Sequence, residues 1–240
     1  MSSYKKVITA AIVLCVVGLL SFSNSPNNEI LSHIVDLKKQ DLKFYWKNDA
    51  GKIMKSFKKL NSSLKTKNEK LVFAVNGGMY KTDHSPLGLY IEDGEKLSKV
   101  NRVKKGYGNF YMQPNGIFYI TDSNTAVVCK TPDFKHEGVK YATQSGPMLL
   151  IDGKIHDKFK EGSKNLNIRN GVGILPNGSI VFGMSKDMIN FHDFANYFKS
   201  LGCENALYLD GFVSKTYLPS EGYNTLNGNF GVIIGEIEKK

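Results

Sequence analysis

Leu71-Val-Phe-Ala-Val75 runs straight into Asn76-Gly-Gly-Met-Tyr80, an uninterrupted apolar stretch closed by a polar side chain and two glycines. Five apolar residues in a row suit a strand buried on both faces. The two glycines allow backbone to approach a neighbour or a ligand closely. Outward from this junction the chain repeats one pattern. Gly88 to Ile91 leads into Asp93-Gly94, Met148 to Ile151 into Asp152-Gly153, and Gly171 to Leu175 into Asn177-Gly178 and then Ser179 to Phe182. Asp-Gly and Asn-Gly between apolar runs signal tight hairpins, because both turn residues tolerate positive φ. Gln113-Pro-Asn-Gly116 precedes another strand at Ile117 to Ile120, and Ala206-Leu-Tyr-Leu209 reads as a further strand ending at Asp210-Gly211.

Helices are fewer. Residues 51–60 are one expected helix. Asn190 to Leu201 is the other, with Phe191, Phe194, Ala195, Phe198 and Leu201 at helical spacing, Asn190 as its cap and Gly202 as its stop. The fold class is therefore α/β in the α+β sense: a mixed, hairpin-rich β-sheet with a few packed helices. It forms one domain over residues 28–240, of ordinary domain size.

Composition bounds what that domain does. The 240 residues carry 32 Lys plus Arg against 22 Asp plus Glu, a formal charge of +10, with 41% apolar and 22% charged residues. That is a globular balance. The charge does not indicate nucleic acid. Its lysines concentrate at positions 38–70, with Lys52, Lys55, Lys58 and Lys59 spaced as on a solvated helix face, and the chain has only two arginines, Arg102 and Arg169. The first 23 residues read as a targeting segment: Lys5 and Lys6, the apolar run Val7 to Leu20, then Ser21-Phe-Ser23 as small residues at a cleavage site. At 14 residues the run is short for a spanning helix, although the following residues extend it enough for an uncleaved anchor. Export is expected in either case, to the periplasm, the medium or the outer face of the membrane. Of the three cysteines, Cys15 lies in this segment, and Cys129 and Cys203 would remain as a disulfide or as two buried thiols.

Several chemistries are absent. There is no G-x-S-x-G elbow, P-loop, G-x-G-x-x-G or H-E-x-x-H, and the five histidines are scattered without metal-ligand spacing. What remains is a set of polar residues where apolar strands meet glycine. They are Asn76-Gly77-Gly78, Gln144-Ser145-Gly146-Pro147, Arg169-Asn170-Gly171-Val172-Gly173, and Asp210-Gly211-Phe212-Val213-Ser214. Any one of these is an ordinary turn. Four in order, two of them charged, indicate a site on one rim.

Taken with Ser85-Pro-Leu-Gly-Leu89, that order from residue 70 to 235 resembles the phosphodiester glycosidase family, and the chain looks like its small, single-domain exported bacterial members. One departure is Gly211-Phe-Val213, where many relatives have a second small residue after Asp-Gly; Phe212 would narrow or reshape the pocket.

The resemblance implies cleavage of a glycosyl C1–O bond to phosphate in envelope or exopolysaccharide material, with N-acetylglucosamine as the family's sugar. A phosphomonoester leaves readily, so a cation can replace much of the acid assistance that ordinary glycosidases draw from a second carboxyl. Arg169 would hold two phosphate oxygens. The N–H groups around Gly77, Gly78 and Gly146 would add neutral donors. Asp210 would face the anomeric carbon as nucleophile or as base for water. Asn76, Ser145, Asn170, Gly211 and Ser214 would position hydroxyls or phosphate, and Asp83 and His84 would serve as a second acid or a sugar contact. No cofactor is required; a divalent cation would use Asp210 and Asp83, but nothing in the spacing demands one. The partner is a sugar-phosphate or polysaccharide substrate. Two other classes share these features: a non-catalytic carbohydrate- or phosphate-binding protein of envelope assembly, and a glycosyl-phosphate transferase.

Overall fold

The structure is a computed structural model and describes residues 30–210 and 213–239. The expected signal segment or anchor at residues 1–23, and Gly211, lie outside the described residues. Every strand pairing is antiparallel and the strands form three sheets. The first contains β1 (Ile30–Val35), β9 (Met148–Ile151), β10 (Lys154–Ile155), β11 (Asn170–Ile174), β12 (Ile180–Ser185) and β13 (Ala206–Tyr208), in the order β1-β12-β11-β13-β9-β10. The second contains β2 (Asp41–Tyr45), β3 (Glu69–Asn76), β14 (Thr216–Tyr217) and β15 (Ile233–Lys239), ordered β14-β3-β15-β2. The third contains β4 (Tyr90–Glu92), β5 (Glu95–Ser98), β6 (Gly116–Thr121), β7 (Ala126–Lys130) and β8 (Val139–Ser145), ordered β5-β4-β8-β6-β7. Among the described residues the two α-helices are α1 (Phe57–Thr66) and α2 (Phe191–Ser200). The architecture is dominated by sheet, more so than the α/β label suggests.

The sheets face a shared core in which Phe44, Phe73, Val75, Phe118, Met148, Val172, Phe182, Leu207 and Ile234 pack together. β3 is buried on both faces, as its apolar run predicts. Phe73 and Val75 enter the shared core, and Ala74 faces α1. Leu71 also faces α1, although simple alternation would place it with Phe73. The pairing with β15 steps from Phe73↔Glu236 to Leu71↔Ile237, so Val72 is the extra residue of a bulge that turns Leu71 over.

The sequence places α2 correctly. Asn190 accepts from the Asp193 N–H at 2.9 Å, and Phe191, Phe194, Ala195 and Phe198 are buried against the first sheet. β11 supplies flat ground for it. A Cβ on Gly171 would lie 3.2 Å from Phe194, and one on Gly173 would lie 2.9 Å from both Phe198 and Cys203. The glycines of Gly171-Val-Gly173 are therefore helix-packing residues, while Val172 points the other way into the shared core.

The helix expected at 51–60 is displaced to 57–66. Lys55 is left-handed at φ 59°, Ile53 bridges to Lys47, and Ser56 accepts from the Lys59 N–H at 3.3 Å as the true cap. Phe57, Leu60 and Leu64 then bury one face against the second sheet. Both Asp93-Gly94 and Asp152-Gly153 have φ > 0 at each residue, as their hairpins require. Cys129 and Cys203 are free thiols in separate clusters, each pushed up to about 11 by burial.

Candidate active site

The ends of β3, β11 and β13 meet, and their junction is built around Asn76. Its side chain is 1% exposed. Nδ2 donates to the Asp210 carbonyl at 2.7 Å, and Oδ1 accepts from the Lys215 N–H at 2.9 Å and from Asn170 Nδ2 at 3.0 Å. Asn170 is also buried, and its Oδ1 accepts from Ser214 Oγ at 3.2 Å. The Asp210 N–H donates to the Gly77 carbonyl at 3.1 Å, and the Leu209 N–H to the Asn170 carbonyl at 3.1 Å. The backbone on both sides of Asp210 is therefore tied to β3 and β11. Buried amides with all their polar atoms paired fix geometry, since breaking any one bond leaves a desolvated group.

Asp210 itself is half-buried. Its negative charge reaches two phenols. Burial raises the Tyr80 phenol and Asp210 adds to that rise. Tyr208 is pushed up to about 12, first by burial, with Arg169 opposing and Asp210 reinforcing. Both phenols stay protonated at neutral pH.

The other residues singled out from sequence fall into different places. Arg169 is 1% exposed and its fork is occupied. Nε donates to the Ile189 carbonyl at 2.8 Å, Nη2 to the Asn165 carbonyl at 2.9 Å, and Nη1 to the Tyr208 hydroxyl at 3.4 Å. The guanidinium stacks 3.6 Å from the Phe191 ring centroid, and no carboxylate is paired with it among the described residues. Burial lowers its pKa. This geometry does not present the two-pronged phosphate clamp expected from sequence; Arg169 is a buried cation behind Tyr208.

The glycine pair also differs from expectation. The Gly77 N–H donates to the Val232 carbonyl at 2.9 Å and the Gly78 N–H to Thr143 Oγ1 at 3.2 Å, so neither is a spare donor for an anion. A Cβ on Gly78 would stand 2.3 Å from Thr143 Oγ1 and 2.4 Å from the Gln144 carbonyl. Gly78 is needed for that contact with β8. Gly146 packs in the same manner, with its missing Cβ 2.6 Å from Asn115. Ser145 Oγ is buried and makes no hydrogen bond among the described residues.

Asp83 and His84 sit on the rim. Asp83 is exposed, and its Oδ1 accepts from the Ser85 N–H and Oγ, which hold its carboxyl below the usual carboxylate range. His84, left-handed at φ 66°, meets Asn229 Oδ1 at 2.7 Å and stacks on Tyr80 with centroids 5.2 Å apart. Tyr80 in turn donates to the Asn229 carbonyl at 2.5 Å. No group of three His, Cys, Asp or Glu among the described residues is arranged to hold a metal. Sequence reasoning missed Tyr80, Tyr208 and Asn229. Tyr80 and Tyr208 adjoin the glycine pair and Asp210, which was the available signal; Asn229 gave none.

The family model for phosphodiester glycosidases matches residues 69–232, which contain β3, β11, β13 and the whole Asn76–Asp210 junction. The chain belongs to the phosphodiester glycosidase family. It is 34% identical over 196 residues to YigE of Escherichia coli K12, a protein described as uncharacterized, spanning 81% of this chain and 76% of that one. Among solved structures it resembles the auto-inhibited catalytic domain of zebrafish N-acetylglucosamine-1-phosphodiester alpha-N-acetylglucosaminidase. That likeness has a TM-score of 0.56 at 17% identity, covering 89% of this chain and 84% of the zebrafish one. A hypothetical protein from Synechocystis gives 0.52 at 12% identity, over 87% of this chain and 59% of that chain. At such identities the structural likenesses speak for the fold.

Proposed function

We propose that this member of the family is an exported hydrolase that cleaves the glycosyl C1–O bond of a sugar-1-phosphodiester in cell-envelope or exopolysaccharide material. The observation that carries the reading is the half-buried Asp210, whose flanking backbone is held by Asn76 and Asn170 inside the matched region. A carboxylate held at fixed geometry gains most where positive charge develops at an anomeric carbon. The leaving phosphomonoester needs little proton donation, so a single carboxylate suffices where ordinary glycosidases use two. The Asp210 charge is felt by the Tyr80 and Tyr208 phenols, and the Arg169 guanidinium bonds the Tyr208 hydroxyl. The structure of the zebrafish relative, named for N-acetylglucosamine, makes that sugar the first to try. Export rests on the residue pattern at 1–23, with a cleaved signal or an anchor as its two forms.

The test is release of free sugar from a chromogenic phosphodiester of N-acetylglucosamine-1-phosphate by the full chain, beside Asp210→Asn. Release by the wild type alone supports the reading, and equal release by the variant overturns the assignment of Asp210. A binding role without turnover is the second reading. It is favoured by the engagement of the Gly77 and Gly78 N–H groups and of Arg169 within the protein. Calorimetric binding of the same compound without hydrolysis is its signature.

A further inference from the structure

Residues 47–70 hold eight lysines and two acids, Asp49 and Glu69. On a helix at 51–60 four of them, Lys52, Lys55, Lys58 and Lys59, would form one solvated face. The observed start of α1 at Phe57 divides them instead. Lys58 and Lys59 project from α1, and Lys52 comes from the extended segment opposite, so the three line a groove of about 750 Å³ with Ile53 and Met54 among its apolar lining. All three lysines are exposed and none is ion-paired among the described residues. The groove's acid, Asp49, is already paired with Lys67 at 2.8 Å.

The groove is joined to the candidate site by a single loop. The Lys58 N–H donates to the Leu226 carbonyl and the Phe230 N–H to the Lys55 carbonyl, each at 2.7 Å. Between those anchors, Asn227 meets Lys215 Nζ, and Asn229 bonds both Tyr80 and His84 at the site rim. Residues 226–230 therefore connect the cationic groove with the rim of the candidate site.

We propose that the groove between α1 and residues 48–56 binds the anionic backbone of a phosphodiester-linked polymer, remote from the bond being cleaved. This deepens the function proposed above and rests on it for the claim that the polymer is substrate. Charge complementarity argues for the occupant: three unpaired ammonium groups, from two facing walls, match a chain that carries a phosphate on every unit. A bilayer does not fit as well. It presents a flat surface, and the exposed large apolar residues (Ile34, Leu97, Val103, Tyr107, Leu166, Met188 and Leu201) lie outside both groove walls, leaving nothing there to insert.

The probe is a fluorescent poly(glycerol phosphate) of about ten units, enough to offer several phosphates to the groove. Neutral dextran and vesicles containing phosphatidylglycerol serve as comparisons. The full chain is expected to bind the polyanion and not dextran, with log affinity falling linearly with log salt. The triple variant Lys52→Gln, Lys58→Gln and Lys59→Gln should lose about tenfold or more in affinity and show a shallower salt slope. Arginine at the same three positions should retain binding. Hydrolysis of the small chromogenic phosphodiester should be unchanged in the triple variant, while KM rises for a sugar-decorated polymer. Unchanged polymer affinity in the triple glutamine variant overturns the proposal, as does equal binding of dextran or a variant that loses only vesicle binding. Groove-dependent binding by a wild-type chain with no turnover supports the polyanion site and sinks the glycosidase reading. Turnover with groove-independent binding does the reverse.

Discussion

Asn76 Nδ2 donates to the main-chain carbonyl of Asp210 across 2.7 Å, so the residue that closes β3 fixes the residue just beyond β13. The two are 134 positions apart in sequence, and the amide that joins them is buried with all its polar atoms used. Asn76→Ala removes that tie and leaves the Asp210 carbonyl and the Lys215 N–H without their partner. The expected result is a fall in kcat of about tenfold to a hundredfold with little change in KM, the pattern of a misplaced reacting group. A loss of about 1–3 kcal/mol in unfolding free energy should accompany it. Steady-state kinetics at a temperature where the variant remains folded separates the two effects. A variant that is destabilised but has wild-type kcat would show that Asn76 does not position Asp210.

Arg169 is expected to act on stability before it acts on phosphate. Arg169→Ala removes donors to Ile189, Asn165 and Tyr208 and the cation stacked on Phe191. Bonds made by a buried charged donor contribute about 1.5–3 kcal/mol, and a desolvated cation–π contact about 2 kcal/mol. A loss of roughly 3 kcal/mol or more in denaturant unfolding is therefore expected. Arg169→Lys should recover little, because an ammonium cannot occupy the flat fork. A folded, stable Arg169→Ala protein that fails only on phosphodiesters would restore the clamp role that the sequence suggests.

Strands and hairpins were legible in the sequence because each carries a local signal. Apolar runs ended by Asp93-Gly94 and Asp152-Gly153 form the turns those pairs encode, and Asn190 caps α2 as its spacing requires. The start of α1 was misplaced because Lys52 and Lys55 continue the helical charge spacing into a segment that Lys55 interrupts at φ 59°. At the site, the sequence singles out Asn76 and Asp210 separately, and the bond that joins them carries no local signal. Which acceptor the Gly77 and Gly78 N–H groups use depends on Val232 and Thr143, distant in sequence and unremarkable as residue types. The same holds for Arg169, whose carbonyl partners leave no side-chain signature.

Gly173 tests the packing of α2 on β11. A Cβ there would stand 2.9 Å from Phe198 Cδ1 and from Cys203 Sγ, closer than folded proteins allow. Gly173→Ala should cost about 1–3 kcal/mol, the usual penalty for overfilling a core. Gly94→Ala and Gly153→Ala make poor controls, because each has φ > 0. Chemical denaturation of Gly173→Ala should show a lower midpoint with an unchanged slope, since only packing is altered. Wild-type stability would mean that α2 yields without cost.

A histidine away from the site should make the fold acid-sensitive. His156 is 1% exposed; its Nε2 is 3.1 Å from the Gln113 carbonyl, and its Nδ1 accepts from the Lys158 N–H. Burial lowers its pKa below the ordinary 6.5, with Asp157 opposing. In the window between the depressed folded value and 6.5 the unfolded chain binds more protons, so stability rises with pH there. The contribution is complete above 6.5 and is lost as pH falls toward the folded value. Thermal unfolding followed from pH 7.5 to 5 should therefore show a decline that His156→Gln reduces. An identical pH profile in the variant would assign the acid sensitivity to other groups.

The role of Asp210 is written in the stereochemistry of its first product. If the carboxylate attacks C1, a covalent glycosyl-enzyme forms with loss of the phosphomonoester. Water then cleaves that intermediate, and two inversions retain the anomeric configuration. If Asp210 instead takes a proton from water as that water attacks C1, one displacement inverts it. Proton NMR of the sugar released in the first minutes, before mutarotation, distinguishes them. The geometry favours direct attack. Asn76 and Gly77 bond the Asp210 main chain at its carbonyl and its N–H, which holds the point from which the carboxyl projects and favours attack by its own oxygen. Retention is the expected outcome, with Asp210→Asn unable to form the intermediate. An inverted first product would make Asp210 the base.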